Sequence, residues 1–159
     1  MQTPPIQFEP IGWVRSPEKV RGLRSFRQVQ ADIVIREDLV DALYGLNGFS
    51  HLEVVYYLHL EPPSEGFRAR IHPLGFEQLP RVGLFATRTP HRPNRLGVTL
   101  CRLLEVQGNL VRTRGLDALD GSPVLDIKAA WKDRYLEASE MRFPEWTETA
   151  IELWEQLRK

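Results

Sequence analysis

The run Val98-Thr99-Leu100-Cys101-Arg102-Leu103-Leu104-Glu105-Val106, then Gln107-Gly108-Asn109, then Leu110-Val111-Arg112-Thr113-Arg114 decides the fold class. Two apolar segments flank a short loop with glycine at its centre. A three-residue loop of this kind is a hairpin connection, because glycine accepts the positive φ that reverses the chain. Working outward, Gln28 to Ile35 places Val29, Ala31, Ile33 and Ile35 on one face with period two, as in a half-buried strand. His51 to Leu60 is rich in valine and tyrosine, which suit a pleated surface. Phe8 to Arg15, Phe67 to Ile71, Val82 to Thr87 and Val124 to Ala129 are further strand candidates.

Twelve prolines and eleven glycines divide the chain into short pieces and disfavour a helical bundle. Short strands at this spacing predict a mainly β fold, a small closed or partly open barrel. Two helices join it. Glu37 to Tyr44 opens with acids and stops at Gly45. Pro144 to Leu157 carries Trp146, Ala150, Leu153, Trp154 and Leu157 as a helical stripe. That stripe needs a cover, either its own barrel or a second subunit. The expectation is one domain over residues 1–159, with a core at about 8–130 and a C-terminal helix at about 144–157.

Composition narrows the function classes. Apolar residues make up 42%, enough for a real core. The 21 basic and 21 acidic residues cancel, so any nucleic-acid site must come from local clustering of charge. Cys101 stands alone, which excludes an internal disulfide framework and a cysteine zinc cage. No apolar run approaches a membrane span, and Met1 to Gln7 lacks the pattern of a secretory leader. A cytoplasmic location without membrane partners is the expectation.

The most unusual composition lies between Arg81 and Arg102. It holds Arg81, Arg88, Arg92, Arg95, Arg102 and His91, with no acid between Glu77 and Glu105. Guanidinium forks meet carboxylates and phosphates through two oxygens at once, so the segment reads as an anion site. The plainer alternative is a solvated basic loop. Asp120-Gly121-Ser122-Pro123 is turn chemistry, and by itself it needs no function. Asp126 and Lys128, two apart on a strand, read as a surface ion pair. Cys101 reads as core. His51 and His59 have the spacing of one strand face, and the four histidines lack zinc-ligand spacing, so no metal is expected. Phosphate-loop, dinucleotide and serine-elbow motifs do not occur.

At these same residues the chain resembles the TsaA/TrmO family of S-adenosylmethionine-dependent methyltransferases. The matching segments are Ile11-Gly12-Trp13-Val14-Arg15-Ser16-Pro17 and Gly45-Leu46-Asn47-Gly48-Phe49-Ser50-His51-Leu52. The strongest is Arg81-Val82-Gly83-Leu84-Phe85-Ala86-Thr87-Arg88 running on to Arg92-Pro93-Asn94. The last runs from Leu116-Asp117 through Asp120-Gly121-Ser122-Pro123-Val124-Leu125-Asp126-Ile127-Lys128. The resemblance implies a small barrel, a homodimer, and methylation of N6 of threonylcarbamoyladenosine beside the anticodon of tRNA. It implies cofactor contacts at Phe26, Arg27, Gln28, His59, Leu60, Arg88, Val98, Asp120, Gly121, Ser122 and Pro123. It implies substrate contacts at Arg92, Asn94, Arg95 and Lys128, and no metal.

The sulfonium of the cofactor already activates the methyl group, so the protein supplies alignment. The nucleophilic nitrogen must lose a proton, and His51, His59 and Asp126 are the candidate bases. The chain departs from the family where proline usually stands in place of Phe26 and Arg95, glutamine in place of Leu60, and Pro-Tyr in place of Ala129-Ala130. These departures leave room for a methyltransferase acting on a small molecule or another nucleophile. A non-catalytic S-adenosylmethionine-binding protein is the third reading.

Overall fold

The computed structural model describes residues 5–20, 25–62, 68–131 and 141–157. They fall into two compact units, the first holding 5–20, 25–59 and 96–130, the second 60–62, 68–95 and the residues from Trp131 on.

The first unit is a closed six-stranded antiparallel barrel. Its strands are β1 (Gly12–Arg15), β2 (Gln30–Ile35), β3 (His51–Tyr57), β6 (Leu96–Gln107), β7 (Leu110–Arg114) and β8 (Pro123–Ala129), in the order β1-β2-β7-β6-β3-β8. The expected hairpin is β6–β7, with Gly108 at φ 57 in its turn. Closure removes free sheet edges. The alternation expected for Gln28 to Ile35 holds for Ala31, Ile33 and Ile35, which point into the barrel. They meet Leu52, Val54, Tyr56, Cys101, Leu103, Val111 and Val124 from the other strands. Burying each such aliphatic side chain is worth about 1.5–3 kcal/mol, so this interior carries most of the unit's stability. Thr113 is buried among them and donates its hydroxyl to the Ala31 carbonyl at 3.0 Å.

Several sequence expectations shorten. Glu37–Leu43 is a 3-10 helix rather than an α-helix. Seven residues give too few i→i+4 bonds to repay helix nucleation, and Gly45 at φ 82 ends the run. β3 stops at Tyr57, so His59 lies beyond the strand and does not share a strand face with His51.

The second unit holds a two-stranded sheet, β4 (Arg70–Ile71) and β5 (Val82–Gly83). The strand expected over Val82 to Thr87 turns into a 3-10 helix at Leu84–Ala86, where the Thr87 amide closes onto the Leu84 carbonyl. Of the strand expected over Phe67 to Ile71, only the last two residues form one, and Phe67 lies outside the described residues. The expected C-terminal helix is α1 (Trp146–Gln156). It touches the turn Pro73–Gly75 and buries Ala150, while Trp146 and Trp154 are half-buried.

Candidate functional site

Strand directions in the barrel bring distant segments to one rim. β1 leaves at Arg15 beside the start of β2, since Arg15 pairs with Asp32. β2 starts beside the end of β7, since Gln30 pairs with Arg114. The end of β3 lies beside the start of β6, since Tyr57 pairs with Leu96. The start of β8 joins them through Trp13 and Pro123. Phe26–Gln28, His59 and Asp120–Pro123 all belong to the connections at this rim.

Each connection is pinned. Phe26–Gln28 is a 3-10 turn capped by Ser25, whose hydroxyl accepts from the Arg27 amide at 3.3 Å. Gly115, at φ 89, packs against the Arg27 backbone, where an added Cβ would lie 3.6 Å from the Arg27 carbonyl oxygen. The Asp120 carboxylate accepts the Ser16 amide at 2.9 Å, and the Asp120 amide donates to the Glu18 carbonyl at 2.8 Å. Gly121 donates to Val14 and Val14 donates to Ser122, so the whole turn is zipped to β1. Tyr56 reaches up from the barrel interior and donates its hydroxyl to the Asp117 carbonyl. Gly97 makes room for that ring: a Cβ there would sit 2.5 Å from it.

His59 closes the arrangement. Its Nδ1 lies 3.3 Å from the buried Ser122 hydroxyl. A Cβ on Gly121 would lie 3.6 Å from Nε2, in ordinary van der Waals contact. Gly121 has φ 77, a conformation that favours glycine in this turn. The rim therefore offers a carboxylate, a positioned imidazole and an open backbone corner, which suit the ammonium, hydroxyls and adenine of a nucleoside-bearing amino acid.

The structure separates the three candidate bases. His51 begins β3 at the opposite end of the barrel, about 20 Å along the strand from Tyr57. Its Nδ1 is 2.8 Å from the Ser50 hydroxyl. Asp126 sits on the outer face of β8, ion-paired with Lys128, and that hydrogen bond raises the lysine pKa. The expected surface pair is thus observed. Val98 is on the outer face of β6, partly exposed.

The arginine-rich segment belongs to the second unit as far as Arg95, while Arg102 lies on β6 of the barrel. Arg92 donates to the Thr87 carbonyl at 3.0 Å and lies 5.7 Å above the Phe85 ring. Arg95 donates to the Glu61 carbonyl at 2.9 Å, with its own backbone at φ 50. His91 Nδ1 is 3.0 Å from the buried Glu61 carboxylate. Both guanidinium groups thus help to shape their loop, a role that composition did not reveal. Arg88, Asn94 and Leu60 are exposed. Sequence reasoning also missed Tyr56, Gly97 and Ser16, whose roles depend on contacts far along the chain, 61 positions for Tyr56 to Asp117 and 104 for Ser16 to Asp120; a glycine opening a β-branched strand was the one available signal. Among the described residues, no three metal-ligating side chains come together.

Comparison with known proteins shows the family of the chain. Residues 16–134 match the family model of the tRNA-methyltransferase O N-terminal domain. A probable S-adenosyl-L-methionine-binding protein of Methanothermobacter thermautotrophicus is 44% identical over 132 residues, covering 80% of this chain and 92% of that protein. The tRNA (adenine(37)-N6)-methyltransferase of Escherichia coli is 35% identical over 134 residues, 77% of this chain and 57% of the enzyme. The crystal structure of TrmO from Pseudomonas aeruginosa superposes with a TM-score of 0.66 at 28% identity, covering 84% of this chain and 60% of that one. The chain thus spans nearly all of the archaeal relative but under two thirds of the two bacterial ones.

Proposed function

The chain belongs to the TsaA/TrmO family, and from that membership we propose that it is an S-adenosylmethionine-dependent methyltransferase acting on N6 of adenosine 37 in tRNA, with threonylcarbamoyladenosine as acceptor. One observation carries the reading: Phe26–Gln28, His59 and Asp120–Pro123, all expected cofactor contacts, meet on one barrel rim and are each fixed by backbone bonds. S-adenosylmethionine, when bound, supplies an electrophilic methyl group on sulfur.

The protein's task is to hold both partners and to receive a proton. Asp120, with one carboxylate oxygen engaged by Ser16, presents the other to an ammonium or a ribose hydroxyl. Arg27 or Arg88 is the proposed partner of the amino-acid carboxylate, and the bidentate fork suits it. Arg92, Asn94, Arg95 and Lys128 remain the proposed contacts to the acceptor. We assign His59 as the base. In the tautomer whose Nδ1–H donates to Ser122, Nε2 carries the lone pair that a base needs. Placed at the rim, that nitrogen would take up the proton that N6 must lose on methylation.

We also propose that the protein acts in the cytoplasm as a homodimer. The dimer is the assembly that the resemblance to the TsaA/TrmO family implies. Sedimentation equilibrium tests it; a monomer at micromolar concentration rejects it.

The deciding assay supplies labelled S-adenosylmethionine and tRNA carrying threonylcarbamoyladenosine. Label transferred to N6 supports the proposal. Cofactor binding by calorimetry without transfer to any tRNA would reduce the chain to a binding protein. For His59→Gln, the expected result is a loss of kcat much larger than the loss of cofactor affinity; unaltered turnover rejects the base assignment.

A further inference from the structure

Two neighbouring rows of side chains on the outer face of the barrel treat their arginines differently. In the first row, Arg15, Asp32, Arg112 and Glu105 lie side by side on β1, β2, β7 and β6. Arg112 has an acid on each flank, Asp32 at 3.1 Å and Glu105 at 3.2 Å. This is how a sheet face ordinarily neutralises a cation.

The next row runs Gln30, Arg114, Arg102, His51 across β2, β7, β6 and β3. Arg114 and Arg102 are directly opposite each other, so their side chains leave the sheet on the same face with Cβ atoms about 5 Å apart. Their outer neighbours are a glutamine and a histidine, and no carboxylate among the described residues pairs with either. Like charges directly opposite destabilise a sheet. The fold could have separated them by a change at one position, as it does one row away.

The row also has a direction. It begins at Gln30, on the rim two residues after Gln28, and ends at His51 at the far end of β3. Such an oblique course follows from strand stagger in a closed barrel. It gives a track of donors leading away from the proposed cofactor rim.

We propose that Arg102 and Arg114, flanked by Gln30 and His51, form a binding track for consecutive phosphates of an RNA backbone. An RNA bound there would have its modified base at the rim and its flanking strand along the row. Two facing guanidinium groups without acids are the complement of a polyanion, and in a chain of zero net charge such affinity has to be local. This inference rests on tRNA being the substrate and adds the surface that holds it.

The test measures binding of a tRNA anticodon stem–loop by fluorescence anisotropy over a range of salt concentrations. It compares wild type, Arg102→Gln/Arg114→Gln and the charge-keeping Arg102→Lys/Arg114→Lys. The glutamine protein should lose affinity about tenfold or more at low salt, with a salt slope shallower by about 1–2. Its thermal midpoint should be equal or higher, because the repulsion is relieved, and its affinity for S-adenosylmethionine should not change. The lysine protein should keep the slope. Equal RNA affinity and slope in the glutamine protein overturns the track and leaves the tRNA reading intact. A slope lost in the lysine protein as well assigns the effect to packing and also overturns it. If wild type binds no tRNA at any salt, the substrate reading itself fails and the track falls with it.

Discussion

Asp120 accepts the backbone amide of Ser16 at 2.9 Å across 104 positions of sequence. The bond ties the turn before β8 to the exit of β1, and makes one carboxylate both a structural clamp and a candidate ligand. The two roles separate by substitution. Asp120→Asn keeps an acceptor oxygen and removes the charge; Asp120→Ala removes both. The alanine protein should lose about 1–2 kcal/mol of stability, because the partly buried Ser16 amide is left without its partner. The asparagine protein should melt near wild type yet bind S-adenosylmethionine more weakly. Thermal unfolding and calorimetry on both proteins check this.

Gly97 and Tyr56 form a second coupled pair. Gly97→Ala puts a methyl group 2.5 Å from the Tyr56 ring and should cost about 1–3 kcal/mol. Tyr56→Phe leaves the clash but removes the bond to Asp117, and should cost about 1 kcal/mol. Tyr56→Leu relieves the clash, so it should cost less in the Gly97→Ala background than in wild type. Denaturant melts in a double-mutant cycle measure the coupling.

Arg95 occupies φ 50, a backbone conformation that proline cannot adopt. Arg95→Pro should therefore force this loop onto another path and lose the bond to the Glu61 carbonyl. Arg95→Gly loses the same bond but removes left-handed strain, so its stability should fall within about 1 kcal/mol of wild type. The proline protein should show faster proteolysis between residues 87 and 95 than the glycine protein.

The Cys101 thiol is buried in the barrel, and desolvation pushes its pKa up from 9.0 to about 12. In the unfolded chain the thiol ionises first, so between pH 9 and 12 the unfolded state binds fewer protons. Stability should fall as pH rises through that window and be unaffected by this group below it. Alkylation by iodoacetamide at pH 8 should follow global unfolding; rapid labelling of the native protein contradicts the burial.

Arg88→Ala should weaken S-adenosylmethionine binding by about tenfold or more, the usual cost of a lost charge-assisted contact. Arg88 is exposed, so its thermal midpoint should hardly move. Unchanged affinity removes Arg88 from the site.

Much of the barrel was legible in order. The alternation of Ala31, Ile33 and Ile35 and the glycine turn at Gly108 are local signals, set by the pleat and by backbone sterics. The site was legible only through family motifs. Asp120-Gly121-Ser122-Pro123 read as an ordinary turn because nothing local tells that Ser16 and His59 are its neighbours. His51 and His59 looked equivalent because strand length is a weak local property, and β3 ends between them.

The amino-acid order alone fixed which residues alternate, where glycine and proline break the chain, and that positive charge gathers between Arg81 and Arg102. Only the closed sheet decided which of them meet. Register is a property of pairs of strands: it set Arg102 opposite Arg114, gave Arg112 two acids, and brought Phe26–Gln28, His59 and Asp120 to one rim. Those encounters depend on hydrogen bonds between segments up to a hundred residues apart, which no periodicity within a single segment encodes.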